Sequence, residues 1–387
     1  MRRRPLVLAV LAAAGTALVP SAFAGQSANG AAHSDRAVCA QAPTGDAACD
    51  SRVVTKSDGV TPHATTSYSS GYAPADLVKA YSIPTSTTNR TIAIVDAYAS
   101  PTAQQDLNAY RAQFGLGPKT ITQVNQSGGT TLPGGDTGWG QEEALDLDMA
   151  SAACPSCSIL YVGANSASFA DLSTAVTTAA NNGASVISNS YGGSEYSGEV
   201  SAQAAYNHPN IAVTVSSGDS GYGAQFPASS QYVVDVGGAA LTKSTTNPRG
   251  FTETAWTSGG SGCSAYISKP TWQHDAGCSR RMGADVAAVA DPNTGVAVYD
   301  SYGSTGGANW LVFGGTSVAA PLVGGMYAVA GVTSSYPAAT LYAGGTSLYD
   351  VVSGKNGRCK TAYFCTAGMG YDGPTGNGTP NGVTSLH

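Results

Sequence analysis

The sequence predicts an α/β fold with a parallel sheet covered by helices on both faces. Two observations carry this. Short apolar runs with strand character alternate with amphipathic segments of helical period. The apolar runs also end in polar residues (Asp96, Ser190, Asp219 and the turn before Ser317), which is where open α/β sheets build their sites.

The elements follow in chain order. Met1-Arg2-Arg3-Arg4, an apolar run and Ser21-Ala22-Phe23-Ala24 form a basic, an apolar and a small-x-small region. This predicts a secretory signal peptide over residues 1–24. Residues 25–70 are polar and without period, and predict an extended arm clipped by a Cys39–Cys49 loop, serving as a short pro-segment or linker. Residues 71–387 carry no linker that would split them. Within them, Pro74–Tyr81 reads as a short helix with Leu77, Val78 and Tyr81 inward. Thr91–Asp96 reads as a buried strand, and a helix is expected over roughly 102–114. Further helices are expected at 138–150, 169–181 and 201–206, and strands at 158–162, 184–193 and 211–216. Strands near 232–236 and 284–290 precede a last helix that begins at Ser317.

Composition narrows the function. Charged residues are 11% of the chain, the net charge is −6, and no basic run follows the N-terminus, so nucleic acid is not an expected partner. No later segment is apolar enough to span a membrane, so an exported protein free of the membrane is expected after signal cleavage, as a monomer. Eight cysteines in an exported chain imply disulfides. Eight allow about 105 pairings, but they fall into four neighbouring couples, 39–49, 154–157, 263–278 and 359–365. A metal or redox use of Cys154-Pro155-Ser156-Cys157 would call for a second such motif or a nearby histidine, and neither is present.

The chemistry centres on Phe313-Gly314-Gly315-Thr316-Ser317-Val318-Ala319-Ala320-Pro321. A small-residue turn delivers Ser317 to a helix start, where free N–H groups favour an oxyanion. Pro321 is expected in the first turn, where its missing N–H costs nothing. Ser317 is either a nucleophile or simply an N-cap. A nucleophile requires a base, and the five histidines (His33, His63, His208, His274, His387) sit in no such motif and read as solvent-facing. Carboxylates are the alternative. Glu142 and Asp146, at i and i+4, share one helix face. They form either a base and its orienting partner, working in acid, or a solvated acidic face. Asp219, between Gly218 and Ser220, is either a neutral acid that donates to an oxyanion or a Ser-Gly-Asp turn. Asp96 ends the first strand and is not expected to act directly. Glu143 and Asp148 are expected to be solvated.

These segments, in this order, resemble the sedolisin family, the serine-carboxyl peptidases. The resemblance covers nearly all of 71–387. It rests on Tyr72-Ala73-Pro74-Ala75-Asp76-Leu77, Glu142-x-x-Leu145-Asp146, Ser217-Gly218-Asp219-Ser220-Gly221 and Gly314-Gly315-Thr316-Ser317 with Pro321. It implies a subtilisin-like three-layer fold with a mostly parallel central sheet and helices on both faces. It also implies a secreted endopeptidase that cuts proteins or peptides at acidic pH. By the same resemblance Ser317 is the nucleophile, Glu142 the base, Asp146 its partner and Asp219 the oxyanion donor, while Ser188–Gly192 is the strand that pairs with substrate. Leu348–Val351 and Ala367–Asp372 resemble a calcium site, with the Asp350 and Asp372 side chains and the carbonyls of Val351, Gly368 and Gly370 as ligands. The family's long folded propeptide has no counterpart in the roughly 45 residues after Ala24, far below the ~100–150 of a domain. The alternative is a secreted binding or surface protein on the same fold that has lost catalysis. A serine hydrolase of another class is disfavoured because no Gly-x-Ser-x-Gly elbow occurs.

Overall fold

The computed structural model describes Met1 and residues 33–303, 307–343 and 347–387. The expected signal peptide, Met1 apart, lies outside the described residues. Three short strands come first: β1 (Ser34–Ala37), β2 (Ala48–Cys49) and β3 (Arg52–Thr55). Helix α1 (Pro74–Tyr81) leads to β4 (Thr91–Ala97), α2 (Ala103–Gln113), β5 (Ile121–Asn125) and α3 (Thr137–Ala153). Then come β6 (Ser158–Ala164), α4 (Phe169–Asn181), β7 (Val186–Asn189), β8 (Tyr191–Ser194), α5 (Glu199–Ala202) and β9 (Ala212–Ser216). The last third contributes β10 (Gln225–Phe226), β11 (Val234–Lys243), β12 (Phe251–Ala255), β13 (Gly262–Ser268) and β14 (Arg280–Gly283). It closes on β15 (Val286–Val289), β16 (Val296–Tyr299), β17 (Trp310–Gly314) and α6 (Thr316–Ala330).

The central sheet runs β12-β11-β9-β7-β4-β6-β5, with β15 also on β11. Every pairing in it is parallel except β11 with β12. Both faces are covered, and the strands show why. In β4, Ile92 and Ile94 enter one core with α1, α2, α3 and α6, while Ala93 and Val95 enter the other with α4. A strand buried on both sides is continuously apolar. Among the described residues no helix is long and apolar enough to cross a membrane. All four neighbouring cysteine couples are disulfides.

Two expectations need correction. Val78 is 37% exposed, so α1 turns only Leu77, Ala80 and Tyr81 inward besides Pro74. Glu143 and Asp148 are not solvated: α3 is enclosed between the sheet, α2 and α6, and residues 139–153 are all buried. A helix enclosed on all sides has no water-facing side to give its acids.

α6 approaches its neighbours through glycines. A methyl on Gly325 would lie 2.5 Å from the Ala153 Cβ, and one on Gly324 3.1 Å from Thr214 Oγ1. Small residues thus let α6 lie directly on α3 and the sheet, which brings Ser317 to the acids of α3.

Candidate active site

β17 ends at Gly314, and Gly315, at φ 105°, turns the chain into α6. A methyl on Gly315 would fall 2.3 Å from the Asp50 carbonyl oxygen and 2.7 Å from Asp219 Oδ2, so only glycine fits, by conformation and by space. Gly315 is the N-cap and Ser317 the second residue of the helix, so Ser317 is not a cap. Its N–H, one of the first-turn groups without a helical partner, donates to the Asp50 carbonyl at 2.9 Å. Its Oγ donates to the Ser190 carbonyl at 3.2 Å. Pro321 lies inside the helix, one turn later than expected. Lacking an N–H, it leaves the Ser317 carbonyl without its helical donor. The Ser190 hydroxyl reaches that carbonyl at 3.5 Å.

Asp136 caps α3 by accepting from the N–H groups of Gly138 and Trp139. One turn on, Glu142 and Asp146 point from one face, both fully buried. The Ser317 and Ser51 hydroxyls face Glu142, and the Ser190 hydroxyl faces Asp146. None of these contacts closes to ordinary hydrogen-bond geometry, so all four carboxyl oxygens lack a partner. Asp96, at the end of β4, joins the cluster, and its oxygens are likewise unpartnered. Burial, and then the charge of Asp96, hold Glu142 and Asp146 well above the usual carboxylate range. Burial and Glu143 do the same to Asp96. Ionising several acids in one enclosed space is prohibitive, so the cluster keeps protons where exposed acids have lost them.

Asp219 reaches the helix start from the turn after β9. Its Oδ1 accepts from Thr316 N (2.8 Å) and Thr316 Oγ1 (3.0 Å), and its buried Oδ2 is unpartnered. Burial and Asp50 raise it well above its ordinary value. It is therefore more than a turn residue. Glu143 accepts from Ser100 N at 2.6 Å, and burial pushes it up to about 8. The histidines stand apart: His33, His63, His274 and His387 are exposed. His208 is half-buried against the Ala205 carbonyl at 2.9 Å.

Three groups here were not anticipated: Asp50, Ser51 and Ser216. Asp50 and Ser51 belong to the N-terminal arm, in a polar stretch with no periodic signal. The arm is not simply extended over the surface. Its β2 pairs with β8, and its β3 with β17. Ser216 Oγ donates to Asp50 Oδ2 at 2.8 Å. Burial raises Asp50 to about 8, against the lowering by Ser216 and with help from Glu142 and Asp235.

The C-terminal loops bring Asp350 and Asp372 together. Asp372 accepts from Gly368 N, Thr375 N and Thr375 Oγ1, and Asp350 accepts from Gly370 N. Burial and then its hydrogen bonds set Asp372 at about 6, with Asp350 adding an upward push. Val351 is buried beside them. Among the described residues no three Asp, Glu, His or Cys side chains converge as a metal site.

Known proteins resemble the chain in sequence and in fold. The model of the Subtilase family matches residues 128–343, more than half of the chain. Kumamolisin of Bacillus sp. (strain MN-32) is 32% identical over 81% of this chain and 63% of its own length. Sedolisin of Pseudomonas sp. (strain 101) is 34% identical over 43% of this chain and 32% of its own. The chain thus spans less than two thirds of the curated relatives it matches. The solved structure of Pseudomonas sedolisin, a serine-carboxyl proteinase complexed with pseudo-iodotyrostatin, superposes with a TM-score of 0.69 at 25% identity, covering 81% of this chain and 96% of that one. Fervidolysin from Fervidobacterium pennivorans, related to subtilisin, shares the fold at 18% identity, with a TM-score of 0.50 over 79% of this chain and 44% of its own. By sequence and by fold, the chain belongs to the subtilases and, among them, to the sedolisin family.

Proposed function

We propose that the protein is a serine-carboxyl endopeptidase that hydrolyses peptide bonds in proteins at acidic pH, outside the cell. The observation that carries this is the buried acid cluster facing Ser317, with no histidine in reach. Ser317 is the nucleophile. Glu142 takes its proton when it is the ionised member of the cluster, and Asp146 holds Glu142 in place. The Ser317 N–H and a protonated Asp219 bind the oxyanion. Export is supported by the signal-like N-terminus and four disulfides. Protein or peptide substrates, and a monomer, are part of the same reading.

Calcium belongs to the proposal as a structural ion. Asp350 lies near enough to Asp372 to raise it, and among the described residues neither forms an ion pair with Lys or Arg. Their remaining lone pairs suit a hard cation, with the carbonyls of Val351, Gly368 and Gly370 to complete its oxygen shell. Bound there, the ion would neutralise both carboxylates and tie two C-terminal loops together.

The test is kcat/KM on one peptide from about pH 3 to 8, a range that brackets carboxylate and histidine values. The parent should be fastest in acid and fall toward neutral as Asp219 ionises and ceases to donate. Glu142→Gln should lose roughly 10²–10⁴-fold. Asp219→Asn keeps a donor at every pH, so it should retain some activity and decline less toward neutral. An optimum at or above neutral, together with full activity in Glu142→Gln, would end the serine-carboxyl reading.

A further inference from the structure

β2 ends at Cys49 and β3 begins at Arg52, and the two residues between them cross directly in front of Ser317. The main chain is tied down on both sides of this crossing. Before it, Ala48 and Cys49 pair antiparallel with Gly192 and Tyr191, adding a strand to β8, whose other neighbour is β10. After it, Arg52 and Val53 pair with Gly314 and Phe313. At the crossing itself, Asp50 N donates to the Ser190 carbonyl at 3.1 Å, and the Asp50 carbonyl accepts from Ser317 N at 2.9 Å. Ser51 presents its hydroxyl to Glu142. A peptide added to a sheet edge, with one carbonyl aimed at the N–H of a helix-start serine, is in the position of a substrate.

The Asp50 side chain is enclosed. Ser216 donates to Oδ2 at 2.8 Å. Gly192 forms one wall, where a methyl would be 3.4 Å from Oδ2 and 2.3 Å from Gln225 Oε1. Gln225 Oε1 is buried without a partner. Burial first, and then the acids Glu142 and Asp235, hold the Asp50 carboxyl as the neutral acid, and Asp50 in turn acts on Asp219.

We propose that the Asp50–Ser51 bond is the chain's own first substrate, and that the pocket around Asp50 selects aspartic acid on the N-terminal side of the bond to be cut. This rests on the peptidase reading above. Ser317 Oγ attacks the Asp50 carbonyl carbon, and its proton passes to Glu142. The C–N bond breaks as Glu142 returns that proton to the Ser51 nitrogen. Water then hydrolyses the Asp50 ester, which leaves a free Asp50 carboxyl and restores Ser317. The Cys39–Cys49 disulfide lies wholly on the departing side.

The test has two arms. The full chain and its Ser317→Ala variant are brought to about pH 4, where carboxyls near their ordinary values are partly protonated, then denatured, weighed by mass spectrometry and sequenced from the N-terminus. The parent should begin at Ser51, at a rate independent of protein concentration, while Ser317→Ala stays uncut at that bond. In the second arm, peptides copying residues 47–54, with Cys49 replaced by Ala, carry Asp, Asn, Leu or Lys at the Asp50 position. The Asp peptide should be cut about 5–10-fold faster than Leu or Lys, the value of one hydrogen bond, and Ser216→Ala should narrow that ratio. A chain that digests casein yet stays intact at Asp50–Ser51, or cuts Leu or Lys peptides as fast as Asp, overturns this inference and leaves the peptidase reading standing. Failure to cut casein, peptides and its own chain alike would take down the peptidase reading itself.

Discussion

Replacing Glu143 by Gln tests the consequence of burying acids in α3. Glu143 is fully buried, and its value rises from 4.5 to about 8. Below about pH 4.3, the ordinary glutamate value, it is protonated whether the chain is folded or not. Between there and about 8 the unfolded chain releases a proton that the folded chain keeps, so stability falls as pH rises. Above about 8 both states are ionised and the loss is complete. At about 1.36 kcal/mol per unit, the shift amounts to ~3–5 kcal/mol. Glutamine mimics the neutral acid: its oxygen accepts from Ser100 N, and its amide faces Tyr161, whose own proton goes to the Tyr98 carbonyl. With ~2.1 cal/mol/K of unfolding entropy per residue, a chain of this size converts that energy to about 4–7 °C. The assay is thermal unfolding of Glu143→Gln against its parent at about pH 4 and about pH 8.5, two values outside the interval over which the carboxyl titrates. Both chains carry Ser317→Ala to prevent self-digestion. Equal melting temperatures in acid and a gain of that size in base are expected. The same difference at both pH values would mean that Glu143 is ionised in the fold, and the account of α3 would be wrong.

Ser317→Ala alone should abolish peptide cleavage and leave the melting temperature close to the parent's, measured by turnover and calorimetry. Chelation should lower the melting temperature of the parent, since an ion that binds only the folded state stabilises it by mass action. Asp372→Ala should lower it too, and chelation should then add nothing. Arg281 and Asp285 form a fully buried pair at 2.5 Å, with Asp285 also accepting from Tyr342 and Asp235 N. Arg281→Met leaves that acid unpaired and should cost about 3–5 kcal/mol by denaturant unfolding.

What the sequence disclosed follows from range of contact. α4 was legible residue for residue because Ser168 caps it, its hydroxyl accepting from Asp171 N, and its apolar face repeats at helical spacing. The disulfides were legible because each couple is close along the chain. In α3 the i, i+4 spacing of Glu142 and Asp146 could be read, but not the burial of Glu143 and Asp148. An acid on a helix reads as solvated unless the element packed over it is known: Glu143 is covered by the loop before α2, through Ser100 N, and Asp148 by β16, far along the chain, through Tyr299 N. The crossing at Asp50 was out of reach for the same reason. Its strands are two and four residues long, and their partners Tyr191 and Gly314 lie far away in sequence. Periodicity needs length, and long-range pairing leaves no local mark.

The pairing of β1 with β3 has a kinetic consequence. These strands lie on opposite sides of the Asp50–Ser51 bond and run antiparallel from Ser34–Thr55 to Ala37–Arg52. Cutting the bond therefore does not free the N-terminal piece, which remains laced to the body through that ladder and through β8. Bond breakage and vacating of the cleft become separate events. Activity against an added peptide should then show a lag after the cut that does not change with protein concentration, because the released piece must first unzip, a first-order step, before another chain can enter.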